Sequence, residues 1–211
     1  MRRFGICSLV DDDRAGQDFE PSFLSRRPLT RRAFDLAAAA HSAQRRHTDD
    51  VPYVVHPLEA AALLHSLGFE DHVTAAAMLH DALEDTELTD DQIEAQLDDR
   101  VAGLVRALTE DAGIADGRER KAALRNQVAE AGPSAAAIFA ADKLSKVREL
   151  RARLSRDPDA AQSTDAVLKL DHYRDSEAML EGVLGEHPLV EQLRYELEAL
   201  EALPPHGRRV E

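Results

Sequence analysis

The sequence contains a single cysteine, Cys7, and no tryptophan, and aromatic residues make up only 4% of its 211 positions. One cysteine excludes an intrachain disulfide framework and a cysteine-ligated zinc cluster. It is also typical of a reducing compartment, so we expect the protein to act in the cytoplasm. With so few aromatic residues, the hydrophobic core must rest on alanine, leucine and valine, which suits closely packed helices better than sheets.

Long apolar runs and an excess of basic residues are absent as well. No segment approaches the ~20 apolar residues of a membrane span, and the apolar run within residues 1–10 is too short for a secretory signal. The 26 basic residues are outnumbered by 40 acidic ones, for a formal net charge of −14, whereas a general nucleic-acid binder normally carries a basic face. We therefore expect neither a membrane nor a nucleic-acid partner; the oligomeric state is left open.

Apolar residues recur at helical spacing along most of the chain, and no segment alternates with a period of two for long enough to indicate a strand. The pattern predicts an all-α fold of roughly eight to ten helices. A helix capped by Thr30 and a continuous helix over residues 71–85 are among them. Residues 1–28 are predicted to be a loosely attached extension, residues 29–204 the domain, and residues 205–211 a tail.

The sequence HDALEDT, which starts at His80, concentrates an imidazole and three carboxylates at the end of an apolar segment. On one helix, His80 and Glu84 lie four residues apart, as do Asp81 and Asp85, so they would share a polar strip. Burying such a strip is costly unless a cation neutralises it. Imidazole with carboxylate suits Mn²⁺, Fe²⁺ or Zn²⁺. The alternative interpretation is an exposed acidic helix end.

Two more polar residues lie in apolar surroundings. His56 stands just before a predicted helix in PYVVHPL, and Asp142 interrupts the apolar helical stretch IFAADKL. A buried carboxylate needs a partner, and the adjacent Lys143 should point about 100° away from Asp142 on a helix. The alternatives are a buried Arg–Asp142 salt bridge and a core histidine bonded to a backbone carbonyl.

Taken in order, four motifs resemble the HD-domain metal phosphohydrolases. They are AHSAQRRH at residues 40–47, PYVVHP at 52–57, HDALEDT at 80–86 and ADKLSKVREL at 141–150. The resemblance covers about residues 30–180 and is closest to the hydrolase domain of the RelA/SpoT alarmone enzymes and to the stand-alone small alarmone hydrolases. It implies an HD-domain helical bundle that hydrolyses the 3′-pyrophosphate of (p)ppGpp, a phosphorylated guanosine nucleotide, giving GDP or GTP and pyrophosphate.

The same resemblance implies a role for each matching position. A metal ion, usually Mn²⁺ in this family, would be held by His56, His80, Asp81 and Asp142. Glu84 and Asp85 would orient and activate the attacking water or protonate the leaving group, and His41 would support the site. The implied substrate contacts are Arg46, His47, Lys121, Lys143, Lys146, Arg148 and Tyr173.

The sequence departs from the family pattern near the substrate. His47 stands where the family usually has lysine, Lys146 where it usually has asparagine, and Ser145 where histidine is frequent, and residues 49–51 replace a glycine-containing turn. Two alternatives to alarmone hydrolysis follow. The same metal site could cleave another phosphorylated nucleotide, such as a nucleoside phosphate or NADPH, or the domain could be a catalytically silent nucleotide sensor, although the intact His-Asp and Glu-Asp pairs argue against silence.

Overall fold

Helices account for most of the chain in the computed structural model, which describes residues 21–46, 49–156 and 163–203. The predicted all-α class is confirmed: these ranges contain ten α-helices, a short 3₁₀ helix at Leu24–Arg26 and no β-strand. His47 and the predicted tail at residues 205–211 lie outside the described residues. The helices are α1 (Pro28–Ala40), α2 (Val55–Ser66), α3 (Asp71–Met78), α4 (Ala82–Asp85), α5 (Asp90–Gln96), α6 (Asp99–Leu108), α7 (Gly117–Ala131), α8 (Pro133–Arg156), α9 (Thr164–Leu184) and α10 (Pro188–Glu201).

The core is organised around α3 and α8. Helix α3 packs against α1, α2, α6 and α8, and every residue from Val73 to Met78 is buried. Helix α8 is buried from Ala135 to Leu144, a stretch in which five of ten residues are alanine. Small side chains let the helix backbones approach closely, so the polar groups at the end of α3 and in the middle of α8 meet deep in the domain. No helix in the described ranges is both long and apolar enough to cross a bilayer.

The predicted continuous helix over residues 71–85 is wrong, because the chain turns between α3 and α4. The amide of Leu79 donates to the Ala76 carbonyl at 3.0 Å, and the amide of Ala82 donates to the Leu79 carbonyl at 2.9 Å. These tight turns replace regular α-helical bonds. His80 and Glu84 therefore do not lie one above the other on a single helix face.

The start of α1 also differs from the prediction. The helix begins at Pro28, and Thr30 is a buried residue in its first turn. The cap comes from another helix: the Asp71 carboxylate, at the start of α3, accepts hydrogen bonds from the amides of Leu29 (3.0 Å) and Thr30 (3.1 Å) and from the Thr30 hydroxyl (2.7 Å). Just before α1, Leu24 is only 1% exposed, so this part of the predicted extension contacts the domain.

Replacing Asp71 by alanine should therefore destabilise the fold. The substitution leaves the first amides of α1 without their acceptor, and loss of a helix cap costs about 0.5–2 kcal/mol. Urea unfolding followed by circular dichroism measures the change in the free energy of unfolding. Glu70→Ala is the control, because its neighbouring carboxylate is 77% exposed. Equal midpoints for the two variants would contradict the capping role.

Candidate metal centre

Three buried side chains from separate parts of the fold bring their ligand atoms together. His56 comes from the first turn of α2, His80 from the turn after α3, and Asp142 from the middle of α8. Their nearest ligand atoms all lie within 4.8 Å of one another. His56 Nε2 is 3.1 Å and His80 Nε2 is 3.3 Å from Asp142 Oδ1. Asp81 Oδ2 lies beside them, 3.4 Å from His56 Nε2 and 3.2 Å from His80 Nε2.

This spacing fits the ligands of a single ion. Donor atoms bound at about 2.1 Å in octahedral or tetrahedral geometry are separated by about 3.0–3.4 Å. His80 Nδ1 lies 2.8 Å from the Ala77 carbonyl oxygen, which can only accept, so this ring nitrogen carries a proton. Nε2 then faces the carboxylates, and within the described ranges it is buried with no hydrogen-bond partner. The donor set of imidazole and carboxylate is suited to a divalent metal ion.

The carboxylates of the cluster stabilise positive charge on the His80 imidazole. Burial by itself lowers the pKa of His80, but the neighbouring negative charges of Asp81 and Asp142 outweigh it and raise the pKa to about 10. The same carboxylates that stabilise a proton on this imidazole would stabilise a divalent ion. Because a coordinating histidine must be neutral, metal binding would release that proton.

Lys143 does not point away from Asp142 as the helical geometry predicts. Its Nζ lies 2.8 Å from Asp142 Oδ2 and 4.3 Å from the centre of the Phe139 ring. The flexible four-carbon stem lets the ammonium bend back to the preceding residue, which an estimate from the Cβ direction alone misses. Burial lowers the pKa of Lys143. The buried carboxylate therefore has a lysine partner instead of the arginine considered as an alternative.

Lys146 faces the same cluster from the cleft side. Its Nζ is 2.9 Å from Asp142 Oδ1 and 3.6 Å from Asp81 Oδ1, and its side chain is 33% exposed. Burial disfavours the charged amine, but the two carboxylates outweigh it and raise the pKa of Lys146 well above its usual range. The residue therefore places a permanent positive charge beside the predicted metal ligands.

Tyr53 belongs to the site, although the sequence reasoning assigned it no role. Its hydroxyl donates to Asp81 Oδ2 at 2.6 Å and to Asp85 Oδ2 at 3.3 Å. Burial raises the pKa of Tyr53, and the neighbouring carboxylates raise it further, so the phenol remains a neutral donor. The available signal was its place in PYVVHP, three residues before His56.

His41 supports the site through Gln44. Its Nδ1 lies 2.6 Å from the Gln44 side-chain oxygen, and the Gln44 amide donates to the Asp85 carbonyl at 2.6 Å.

Glu84 lies near the cluster and is bonded on one side. Its Oε1 accepts a hydrogen bond from the Glu110 amide at 2.6 Å. Partial burial raises the pKa of Glu84, and the charges of Asp81 and Glu110 act in the same direction. The Glu110 side chain is paired with Arg120 at 2.6 Å and with Lys121 at 3.0 Å, so Lys121 is connected to Glu84 through the Glu110 residue.

The metal cluster opens onto a cleft of about 440 Å³. Among the described residues, its lining includes the predicted substrate contacts Arg46 and Lys146 but not Lys121, Lys143, Arg148 or Tyr173. Arg148 instead pairs with Glu196 at 2.9 Å, and Tyr173 is buried. The cleft is lined by Gln44, Arg45, Arg46, Tyr53, His56, Asp85, Lys146 and Glu149.

The helical fold and the buried His/Asp cluster together define a domain with a candidate divalent-metal centre. The chain belongs to the HD domain family, whose sequence profile matches residues 33–169. This match confirms the family resemblance inferred from the four motifs.

Two of the relatives carry the name of the same enzyme, a guanosine-3′,5′-bis(diphosphate) 3′-pyrophosphohydrolase. Over 121 residues the chain is 38% identical to the human guanosine-3′,5′-bis(diphosphate) 3′-pyrophosphohydrolase MESH1; the match covers 56% of this chain and 67% of the human protein. Over 78 residues it is 42% identical to the Aquifex aeolicus guanosine-3′,5′-bis(diphosphate) 3′-pyrophosphohydrolase. That match covers 37% of this chain and spans only 11% of the Aquifex protein.

Two solved structures share the fold. One is described as a metazoan ortholog of SpoT that hydrolyses ppGpp; it matches with a TM-score of 0.69 at 24% identity, over 86% of this chain and 97% of that chain. The other, from Listeria monocytogenes EGD-e, matches with a TM-score of 0.63 at 30% identity, over 71% of this chain and 97% of that chain. The predicted HD-type helical fold is therefore confirmed.

Proposed function

We propose that the chain is a metal-dependent phosphohydrolase that removes pyrophosphate from the 3′ position of (p)ppGpp. The convergence of His56, His80 and Asp142 ligand atoms within 4.8 Å, beside a cleft lined by arginine and lysine, carries the proposal. The names of the MESH1 and Aquifex relatives support the choice of substrate. A cytoplasmic location is proposed with it, because the single cysteine suits a reducing compartment.

The proposed metal ligands are His56, His80, Asp81 and Asp142, and the proposed ion is Mn²⁺. When bound, such an ion withdraws charge from a phosphoryl oxygen and lowers the pKa of a coordinated water. Tyr53 holds two carboxylates of the site in place, since its hydroxyl bonds both Asp81 and Asp85.

The remaining chemistry is assigned to groups at the edge of the cluster. Glu84 would accept the proton of the attacking water, a role for which a pKa raised toward neutrality is favourable. Asp85 would orient that water, since it lines the cleft. Arg46 and Lys146 would contact the substrate phosphates from the cleft wall. Lys121 would help to position Glu84, because it pairs with the side chain of Glu110, whose amide bonds Glu84.

Lys146 favours one alternative, a phosphorylated nucleotide other than (p)ppGpp. Its ammonium lies beside Asp142 and Asp81, where the family usually has a neutral asparagine. Lysine cannot accept a hydrogen bond as asparagine does, so a nucleotide contact that depends on the asparagine amide in the family would be lost here. A silent sensing module is less well supported, because the donor cluster is complete and Glu84 lies next to it.

A substrate panel tests the proposal. The purified protein with Mn²⁺ is incubated with ppGpp, pppGpp, GTP, GDP and NADPH, and the products are separated by anion-exchange chromatography. Release of pyrophosphate from ppGpp or pppGpp, leaving GDP or GTP, with a kcat/KM above those of GTP, GDP and NADPH, supports alarmone hydrolysis. Preferential cleavage of NADPH or a nucleoside phosphate supports the alternative. Nucleotide binding without turnover would contradict enzymatic function.

Replacing Lys146 by asparagine should change this ranking. Lysine only donates hydrogen bonds, whereas asparagine both donates and accepts them. We expect the ratio of kcat/KM between ppGpp and the other nucleotides to shift by at least about tenfold, or roughly 1.4 kcal/mol. At saturating Mn²⁺ the metal content should be unchanged. Lys169→Asn on α9 is a control that lies outside the cleft lining, and an unchanged ranking in Lys146→Asn would contradict the specificity role.

A further inference from the structure

The ring nitrogen of His56 that lies away from the metal cluster contacts Ser145, which in turn contacts Glu59. His56 Nδ1 lies 3.2 Å from Ser145 Oγ, and the Ser145 hydroxyl lies 2.9 Å from Glu59 Oε2. Glu59 follows His56 by three residues on α2, and Ser145 follows Asp142 by three residues on α8. The contact therefore connects the two helices that supply metal ligands.

The chemistry of these groups determines the direction of each hydrogen bond. An ionised carboxylate only accepts, so the single hydroxyl proton of Ser145 is donated to Glu59. Ser145 Oγ must then accept the proton on His56 Nδ1. The opposite ring nitrogen, Nε2, donates a hydrogen bond to Asp142 Oδ1 at 3.1 Å and lies 3.4 Å from Asp81 Oδ2. A bound ion would replace the proton on Nε2 and leave the one on Nδ1, which is the tautomer that a metal-binding histidine needs.

Glu59 is itself oriented by Arg46. The guanidinium Nη1 lies 3.3 Å from Glu59 Oε1, and the same guanidinium is also paired with Asp49. Only 16% of the Arg46 side chain is exposed, whereas 47% of the Glu59 side chain is. Arg46 therefore helps to keep this half-exposed carboxylate turned toward Ser145.

We propose that Ser145 and Glu59 are positioning residues that hold His56 in its metal-binding tautomer and orientation. The inference rests on the proposed metal centre and assigns it a carboxylate–serine–histidine relay. Hydrogen-bond partners behind metal ligands typically change metal affinity by 10–100-fold when they are lost. Because Ser145 stands where the related hydrolases frequently have histidine, the relay is a property of this chain's own sequence.

The test measures Mn²⁺ affinity by isothermal titration calorimetry on metal-free protein, without substrate. Ser145→Ala and Glu59→Ala should each weaken binding by about 10–100-fold. The double variant should be no weaker than the worse single variant, since both substitutions break the same relay. Ser145→Thr keeps the hydroxyl and should restore most of the affinity. Ser155→Ala is the matched control on α8, because its hydroxyl bonds the Arg151 carbonyl in its own helix.

A second measurement reports on the imidazole itself. In wild-type protein, ¹⁵N NMR should show a proton on His56 Nδ1 that exchanges slowly with solvent, and in Ser145→Ala this exchange should become faster while the melting temperature stays near that of Ser155→Ala. Wild-type Mn²⁺ affinity in Ser145→Ala, or additive losses in the double variant, would overturn the relay. Since neither readout uses a nucleotide, a relay that holds in a protein inactive on ppGpp would contradict only the proposed substrate.

Discussion

Replacing His80 by alanine is expected to remove the bound metal ion and, with it, turnover. The imidazole supplies a buried nitrogen that faces both Asp81 and Asp142. Wild-type protein should hold about one transition-metal ion per chain, as expected for one set of four ligands. The loss in metal affinity should exceed the ~100-fold typical of outer-shell partners. Elemental analysis and Mn²⁺-dependent hydrolysis measure the two effects.

The control for this experiment is His72→Ala. His72 lies on α3, close to His80 in sequence, but its imidazole pairs with the exposed Glu70 at 3.3 Å. It should keep both metal and activity. An active His80→Ala protein, or active wild-type protein without metal, would contradict a metal-dependent mechanism.

Asp142→Ala should also lose metal and activity, but this variant carries a second effect. Asp142 is the partner of Lys143, whose side chain is 8% exposed, and removing one member of a buried pair costs about 3–5 kcal/mol. Lower stability should therefore accompany the loss of metal in Asp142→Ala. His80→Ala leaves the Lys143–Asp142 pair intact, so comparing the two variants separates metal binding from folding.

Glu84→Gln is expected to retain the metal but lower kcat by roughly 10²-fold or more, the usual scale for a lost acid–base group. Glutamine keeps the size of the side chain and can still accept from the Glu110 amide, but it cannot take up a proton. Metal content by elemental analysis and kcat by product release are measured on the same preparation. Equal loss of metal and activity would identify Glu84 as a ligand instead of a base.

The pH dependence provides the second part of this test. Partial burial raises the pKa of Glu84, so the side chain keeps its proton to a higher pH than a free glutamate does. A base is active when deprotonated; the rate should therefore rise as the pH increases through the raised pKa and fall below it. This rise of the rate with pH should disappear in Glu84→Gln and persist in Glu87→Gln, an exposed control nearby. An unchanged pH dependence of the rate in Glu84→Gln would assign the titration to another group.

Local sequence determined the helical class and the positions of the principal donors. Helical periodicity depends on residues three and four apart, so it predicted the all-α class and roughly eight to ten helices, and the described residues form ten. His56, His80 and Asp142 were identifiable because each is a polar group in an apolar segment, and burial of such a group requires a partner. The continuous helix over residues 71–85 was predicted wrongly because local periodicity was the only guide, and the alanine-rich pattern carries no sign of the turn at Leu79.

Only the tertiary structure decided how the polar side chains are partnered. Lys143 bends back to Asp142, Tyr53 reaches Asp81 from another segment, and Glu59 meets Ser145 across 86 positions of sequence. These contacts depend on side-chain rotamers and on the packing of α2 and α3 against α8, and neither leaves a periodic signal in the sequence. The residue types that could bind a metal are thus evident from the sequence, whereas their arrangement around one point is a consequence of helix packing.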